Sequence, residues 1–236
     1  MKFIVEKEVF DKLDDVCFGI VVAKGIDNTQ KIEKIQSLLE AGIKANEEKY
    51  EGKKVKESEE VACYREAFRT LGINPNKFMS SIEALLTRVS KKKGLPSINP
   101  IVDIGNAMSL KYYLPMGAHD IDTIAPQDVE VRFSRQGDRF IPFGEEEEAE
   151  ILDPGELVYA VGNKVRTRRW IWRQSEEGKI VESTKNIFFP IDGFKNSNYD
   201  NLMAAREELA TLLKEIFDCE IKVGFIDKDN REFEID

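Results

Sequence analysis

Apolar and polar positions divide the chain into a helix-rich first half and a strand-rich second half. Residues 16–23 (VCFGIVVA) form a short continuous apolar run rich in β-branched side chains, which predicts a strand buried on both faces. From about Asn28 the apolar residues Ile32, Ile35, Leu38, Leu39 and Ile43 recur at helical spacing, and residues 52–56 read as a solvated linker. Ser58 then stands as a cap for a helix with Glu59 and Glu60 in its first turn, where negative charge suits the macrodipole, and Gly72 as its C′ residue. Ser80 and Glu83 have the spacing of a capping box, followed by the stripe Ile82, Leu85, Leu86 and Val89. Lys91, Lys92 and Lys93 fall in the last turn before Gly94, where cations are favoured, although RNA contact is a second reading of them. A further helix is expected from Asp103 to about Tyr113, ending before Pro115.

From Asp128 the rhythm changes to short runs separated by Gly, Pro and acidic turns: VEVRF, DRFIPF, ELVYAV, KVRTRRWIWRQ and NIFFPI. Such spacing predicts antiparallel β-structure. An amphipathic helix over about 200–217 and a strand over 220–226 complete the pattern. The sum is an α+β fold, with helices mainly in the first half and antiparallel strands in the second. Without a clear linker, 1–236 is expected to be a single compact unit.

Composition narrows the classes. With 42% hydrophobic and 33% charged residues among 236, the chain suits a globular protein rather than a disordered one. No apolar run approaches the roughly 18 residues that span a bilayer, and the opening MKFIVEKEVF lacks a secretory h-region. Cys17, Cys63 and Cys219 are odd in number and far apart, which predicts reduced thiols in a cytoplasmic protein with no bound metal. The net charge of −9 opposes RNA at long range, so any RNA contact must be a local patch. Glu145 to Glu148 read as a solvated acidic loop. Residues 157–175 contain no acid, while Lys164, Arg166, Arg168, Arg169 and Arg173 crowd together there.

The candidate chemistry centres on residues 115–122, PMGAHDID, which hold His119, the one histidine of the chain. A lone histidine without a Ser or Cys nucleophile motif excludes a covalent triad, and a His/Cys zinc site is equally unsupported. His119 reads either as a donor or water orienter beside Asp120, or as a turn histidine bonded to backbone. Asp120 reads as a grip for an amine or as a cap, and Asp122 as structural. Asn106 faces either a pocket or its own helix start. If 164–174 is one strand, Arg166, Arg168, Trp170, Trp172 and Gln174 share a face. Arginine beside tryptophan suits phosphate plus a stacked base, and the alternative is an exposed strand whose tryptophans are core and whose arginines pair with 145–148.

The run Asn99-Pro100-Ile101-Val102-Asp103-Ile104-Gly105-Asn106, followed by Pro115-Met116-Gly117-Ala118-His119-Asp120-Ile121-Asp122, resembles the B3/B4 domain of the phenylalanyl-tRNA synthetase β-subunit. That module removes wrongly attached amino acids from tRNA. Residues 64–73 (YREAFRTLGI), 81–86 (SIEALL) and 169–174 (RWIWRQ) look more like freestanding B3/B4 proteins than the synthetase. The resemblance covers about 60–193, leaving a strand–helix extension over 1–57 and a helix–strand segment over 199–236. It also shows departures. Gly117 stands where the synthetase has its editing histidine, His119 where it has phenylalanine, and Pro190 near the place of its editing glutamate. Glu182, Asp192 or His119 are the groups that could substitute in space.

The resemblance implies a trans-acting aminoacyl-tRNA deacylase with His119 and Asp120 catalytic. Asn99, Asn106, Gly117, Arg169, Trp172 and Gln174 would line the amino-acid pocket, and Lys164, Arg166, Arg168 and Arg173 would hold the aminoacylated 3′ end of tRNA, with no cofactor and no metal. Asp120 and Asp122 lean toward a cationic amino acid. A non-catalytic tRNA-binding or synthetase-associated module and a hydrolase or binder of free amino-acid derivatives are the alternatives. The shared requirement is that the 117–120 bend and the 164–174 ribbon meet around one cavity.

Overall fold

The apolar run at 16–23 becomes the buried strand around which one sheet is built. The computed structural model describes residues 1–144 and 149–236, so the acidic run Glu145–Glu148 lies outside the described residues. In chain order the elements are β1 (Lys2–Val5), α1 (Lys7–Lys12), β2 (Val16–Lys24), α2 (Glu33–Lys49), α3 (Glu59–Thr70), α4 (Ser81–Ser90), α5 (Pro100–Tyr112) and β3 (His119–Asp120). They continue with β4 (Val129–Phe133), β5 (Arg139–Phe140), β6 (Glu150–Ile151), β7 (Leu157–Val161), β8 (Lys164–Arg168), β9 (Arg173–Gln174), β10 (Asn186–Phe194), α6 (Tyr199–Phe217), β11 (Glu220–Ile226) and β12 (Glu232–Glu234). No helix among the described residues is long and apolar enough to cross a membrane.

Two sheets form among the described residues. One has the order β12-β1-β4-β7-β8-β5-β6, with β9 added to β8; the other has the order β11-β2-β10-β3. The α+β architecture with helices early and strands late holds. Pairing is antiparallel throughout except for β1 with β4 and β5 with β8, which run parallel. β1 and α1 escape the pattern because four and six residues are too short to express a period.

Local signals explain most element ends. Ser80 caps α4 by accepting from the Glu83 amide at 3.4 Å. The reciprocal half of that capping box is absent, because the Glu83 carboxylate instead takes buried Arg65 at 2.5 Å. α5 starts three residues earlier than expected, since Asn99 accepts from the Val102 amide at 3.0 Å and Pro100 occupies the first turn. α2 starts later than expected because the Asn28 side chain is taken up elsewhere. It accepts from the Ile101 amide at 3.1 Å and donates to the Val181 carbonyl at 2.9 Å.

α6 lies across β2 and β10 where both strands carry glycine. A β-carbon on Gly19 would sit 2.9 Å from a Leu202 methyl, and one on Gly193 would sit 2.7 Å from Leu202 and 2.8 Å from the Asn198 side-chain oxygen. This close approach fixes β10, and β10 in turn fixes the site. Its antiparallel partner β3 pairs Phe188 with His119 and Ile187 with Asp120.

Candidate functional site

A small cavity of about 80 Å³ opens where β10, the segment leading into β3, and the β8–β9 connection converge. Met116 bridges Ile191, the Gly117 amide donates to the Pro190 carbonyl at 3.0 Å, and the Asp192 amide donates to Pro115 at 3.1 Å. Residues 115–119 are thereby laid along β10. On the opposite wall the Gln174 side-chain amide donates to the Ala118 carbonyl at 2.9 Å, which ties the two segments together. The bend and the ribbon do meet around one cavity.

The ribbon is not a continuous strand. It is a hairpin, β8 and β9, whose loop 169–172 holds two consecutive non-glycine residues in the left-handed region, Arg169 at φ 47° and Trp170 at φ 59°. Such backbone is strained for L-residues and persists only where surroundings over-determine it. Here the Glu156 carboxylate accepts from the Arg169 amide at 3.0 Å and from Arg168 Nε at 3.0 Å. The Trp170 amide donates to the Leu157 carbonyl at 2.6 Å, and the Ser81 amide at the start of α4 donates to the Ile171 carbonyl at 2.8 Å. The expected single face of Arg166, Arg168, Trp170, Trp172 and Gln174 is therefore replaced. Trp170 turns inward to full burial, while Trp172 stays half-buried under Arg169, whose guanidinium lies 4.6 Å from its ring and 3.9 Å from Phe78.

Two titratable groups stand at the buried end of the cavity. His119 is 2% exposed, is flanked by Tyr159 and Phe188, and has Nδ1 buried without a partner. Burial, with a smaller contribution from the Arg166 charge, pulls its pKa down to about 3, so the imidazole is neutral at ordinary pH. Asp192 is equally buried, and its Oδ1 accepts from Tyr159 Oη at 2.7 Å and Trp170 Nε1 at 2.7 Å. Burial pushes its pKa up to about 7 against the lowering effect of those two donors. At the open end, the Arg173 guanidinium, the Trp172 indole and the Ser81 and Thr167 hydroxyls line the cavity. None of them has a side-chain hydrogen-bond partner among the described residues, so their donors are available to a ligand in the cavity.

Of the anticipated pocket residues, Gly117, Trp172 and Gln174 line this cavity with His119. The rest lie elsewhere. Asn99 is spent on the α5 cap and lines a separate cavity with Glu182, and Asn106 lines neither. Asp120 is turned away: its oxygens accept from the Asp122 amide at 2.9 Å and Thr184 Oγ1 at 2.7 Å. Asp122 takes the Asn186 amide. Arg169 is held by aromatic faces and Glu156 behind the cavity wall.

The proposed phosphate contacts fare similarly. Arg166 is buried and donates to the Thr123 carbonyl at 2.8 Å, Arg168 is paired with Glu156 and Glu150, and Lys164 with Glu177 at 3.1 Å. Arg173 is exposed and meets no carboxylate among the described residues. Trp170 falls in the expected 169–174 segment, whereas Tyr159, which also shapes the site, lies outside the expected pocket. The signal for Asp192 was an acid inside the apolar run NIFFPIDGF, where a charge is unexpected unless it serves the cavity.

A family model for the B3/4 domain matches residues 63–218, most of the chain and through to the end of α6. The chain belongs to the B3/4 domain family. The phenylalanine–tRNA ligase beta subunit of Idiomarina loihiensis is 29% identical over 103 residues, covering 44% of this chain and 12% of that protein. The corresponding subunit of Streptococcus pneumoniae is 33% identical over 79 residues, 34% of this chain and 10% of that protein. The matches thus span about a tenth of those curated relatives. Among solved structures, an N-terminal fragment of the phenylalanyl-tRNA synthetase beta-subunit from Pyrococcus horikoshii aligns at a TM-score of 0.46 and 13% identity, over 93% of this chain and 49% of that one.

Within this B3/4 domain, Gly117 and Pro190 touch one another. A β-carbon at Gly117 would lie 3.2 Å from both Pro190 Cγ and His119 Nε2. His119 and Asp192 each follow by two residues. Both line the cavity, whereas Glu182, the third possible stand-in, lines a different one.

Proposed function

We propose that the chain is a trans-acting deacylase of mischarged aminoacyl-tRNA, with the aminoacyl group entering this cavity and the terminal nucleotide at its open end. The observation that carries this reading is the convergence of the 117–119 bend and the 170–174 loop on one cavity of a B3/4 domain. An aminoacyl ester is already activated, so the site has to position water and stabilise an oxyanion rather than build a nucleophile. His119, neutral and buried, serves as water orienter through its ring nitrogens, and the adjacent ribose hydroxyl assists. Arg173, Trp172, Ser81 and Thr167 are the donors available for the ester carbonyl. Asp120, expected beside His119 in this role, contributes through the turn that holds β3. RNA contact falls mainly to Arg173, and the acidic net charge makes the encounter weak and salt-sensitive. Action in the cytoplasm accords with the translation role of the named relatives. Incubation with a panel of aminoacylated tRNAs tests the reading: at least one ester is expected to be cleaved faster than in buffer, and uniform survival of all of them removes the activity.

A further inference from the structure

Asp192 differs from the other buried carboxylates of the molecule. Asp138 is closed by Arg132 on both oxygens, and Glu83 is paired with Arg65. Asp103 accepts from Ser97 and the Ile98 amide, and Asp120 from Thr184 and the Asp122 amide. Asp192 has donors on Oδ1 alone, forms no ion pair among the described residues, and lines the cavity. The Tyr64 hydroxyl pins its backbone carbonyl at 2.9 Å, so the carboxylate is rigidly presented. Held in place with its second oxygen unpartnered among the described residues and open to the cavity, this carboxylate can take a counter-ion from a ligand there.

We infer that the cavity selects a ligand bearing a protonated amine, whose ammonium completes the free oxygen of Asp192. Granting that the cavity holds the aminoacyl group, Asp192 is the specificity-determining residue at its buried end. The polarity of the site fits. An acid lies at the closed end and Arg173 at the exposed end, matching an amine at one end of the ligand and a phosphate at the other. The amine can be the α-ammonium of any amino acid or the side-chain ammonium of a basic one.

Four non-hydrolysable 3′-acylamino-3′-deoxyadenosines separate these sources: hexanoyl with no amine, norleucyl with the α-amine, 6-aminohexanoyl with the distal amine, and lysyl with both. Calorimetric titration at pH 8 is expected to show norleucyl or 6-aminohexanoyl binding at least about tenfold more tightly than hexanoyl, as befits a charge-assisted hydrogen bond. The member that gains identifies which amine is gripped. In D192N, which keeps an acceptor for Tyr159 and Trp170, that preference is expected to vanish while hexanoyl affinity stays. Equal binding of all four by the native protein overturns the inference but leaves the aminoacyl cavity standing. An amine preference that survives in D192N also overturns it. Failure of all four to bind removes the aminoacyl cavity and this inference together.

Discussion

Asp192→Asn should stabilise the protein at pH 8, an unusual result for a buried polar substitution. Burial raises the Asp192 pKa from 3.8 to about 7 in the folded state. Between those values the folded chain retains a proton that the unfolded chain has released, so this group's stabilisation is complete below 3.8 and is lost as pH rises through about 7. The gap corresponds to roughly 4 kcal/mol between the two limits. Asparagine keeps an oxygen for Tyr159 and Trp170 and presents its amide to the cavity, so the substitution removes the charge and little else. D192N is therefore expected to exceed the native protein by up to roughly 4 kcal/mol at pH 8, with the difference shrinking toward pH 4.

The other groups facing Asp192 set the background. Tyr64 and Tyr159 are raised well above their ordinary range by burial, and Cys17 is pushed up to about 12, so all three are neutral throughout the window. His119 opposes Asp192. Its folded value of about 3 lies below the unfolded 6.5, so its contribution is present above 6.5 and lost as pH falls toward 3. In the native protein the two slopes offset one another between about 4 and 6.5, and D192N uncovers the rising limb of His119. Urea denaturation of both proteins at pH 4, 6 and 8, with stabilities extrapolated to water, measures the effect. A native-minus-mutant difference that does not change with pH would refute the claim that Asp192 is a desolvated, uncompensated acid.

Other substitutions probe separate supports. Trp170→Phe deletes the indole donor to Asp192 and leaves a void under the loop, and should cost about 2–4 kcal/mol in urea denaturation. Gly193→Ala drives a methyl into Leu202 and Asn198, lifting α6 from β10, and should cost about 1–3 kcal/mol by the same assay. Gly117→Ala should leave unfolding nearly unchanged but weaken acylamino-deoxyadenosine binding, since the new methyl meets the His119 ring at 3.2 Å. Arg173→Ala should flatten the salt dependence of tRNA binding by about 0.7 in the log–log slope, whereas Arg168→Ala, already engaged by Glu156, should not; equal effects would place the RNA elsewhere.

What could be read ahead of the structure depended on how local the determinants were. β2 and α6 were visible because a buried strand and a long amphipathic helix each carry a period over many residues. The Asn99–Pro100 pair obeys helix-start grammar, and the cap consumes the asparagine side chain that the family resemblance places in a pocket. The break at 169–170 had no local signature. Left-handed backbone is ordinarily marked by glycine, but an arginine and a tryptophan adopt it here because Glu156 and Asp192 reward the turn. Alternation over 164–174 therefore put Trp170 and Trp172 on one face, when a reversal between them separates their roles.

The same logic governs the cations. A stretch with many arginines and no acid looks like a phosphate track, but charge neutrality is settled in space rather than along the chain. Glu150, Glu156 and Glu177 come from neighbouring segments to claim Arg168, Arg169 and Lys164, and Arg166 is drawn inside. What survives among the described residues is an exposed arginine at the cavity mouth and an acid without an ion pair at its floor. In a protein of net charge −9 that separation matters more than the total. It gives the cavity a direction, amine inward and phosphate outward, which an evenly basic groove would lack.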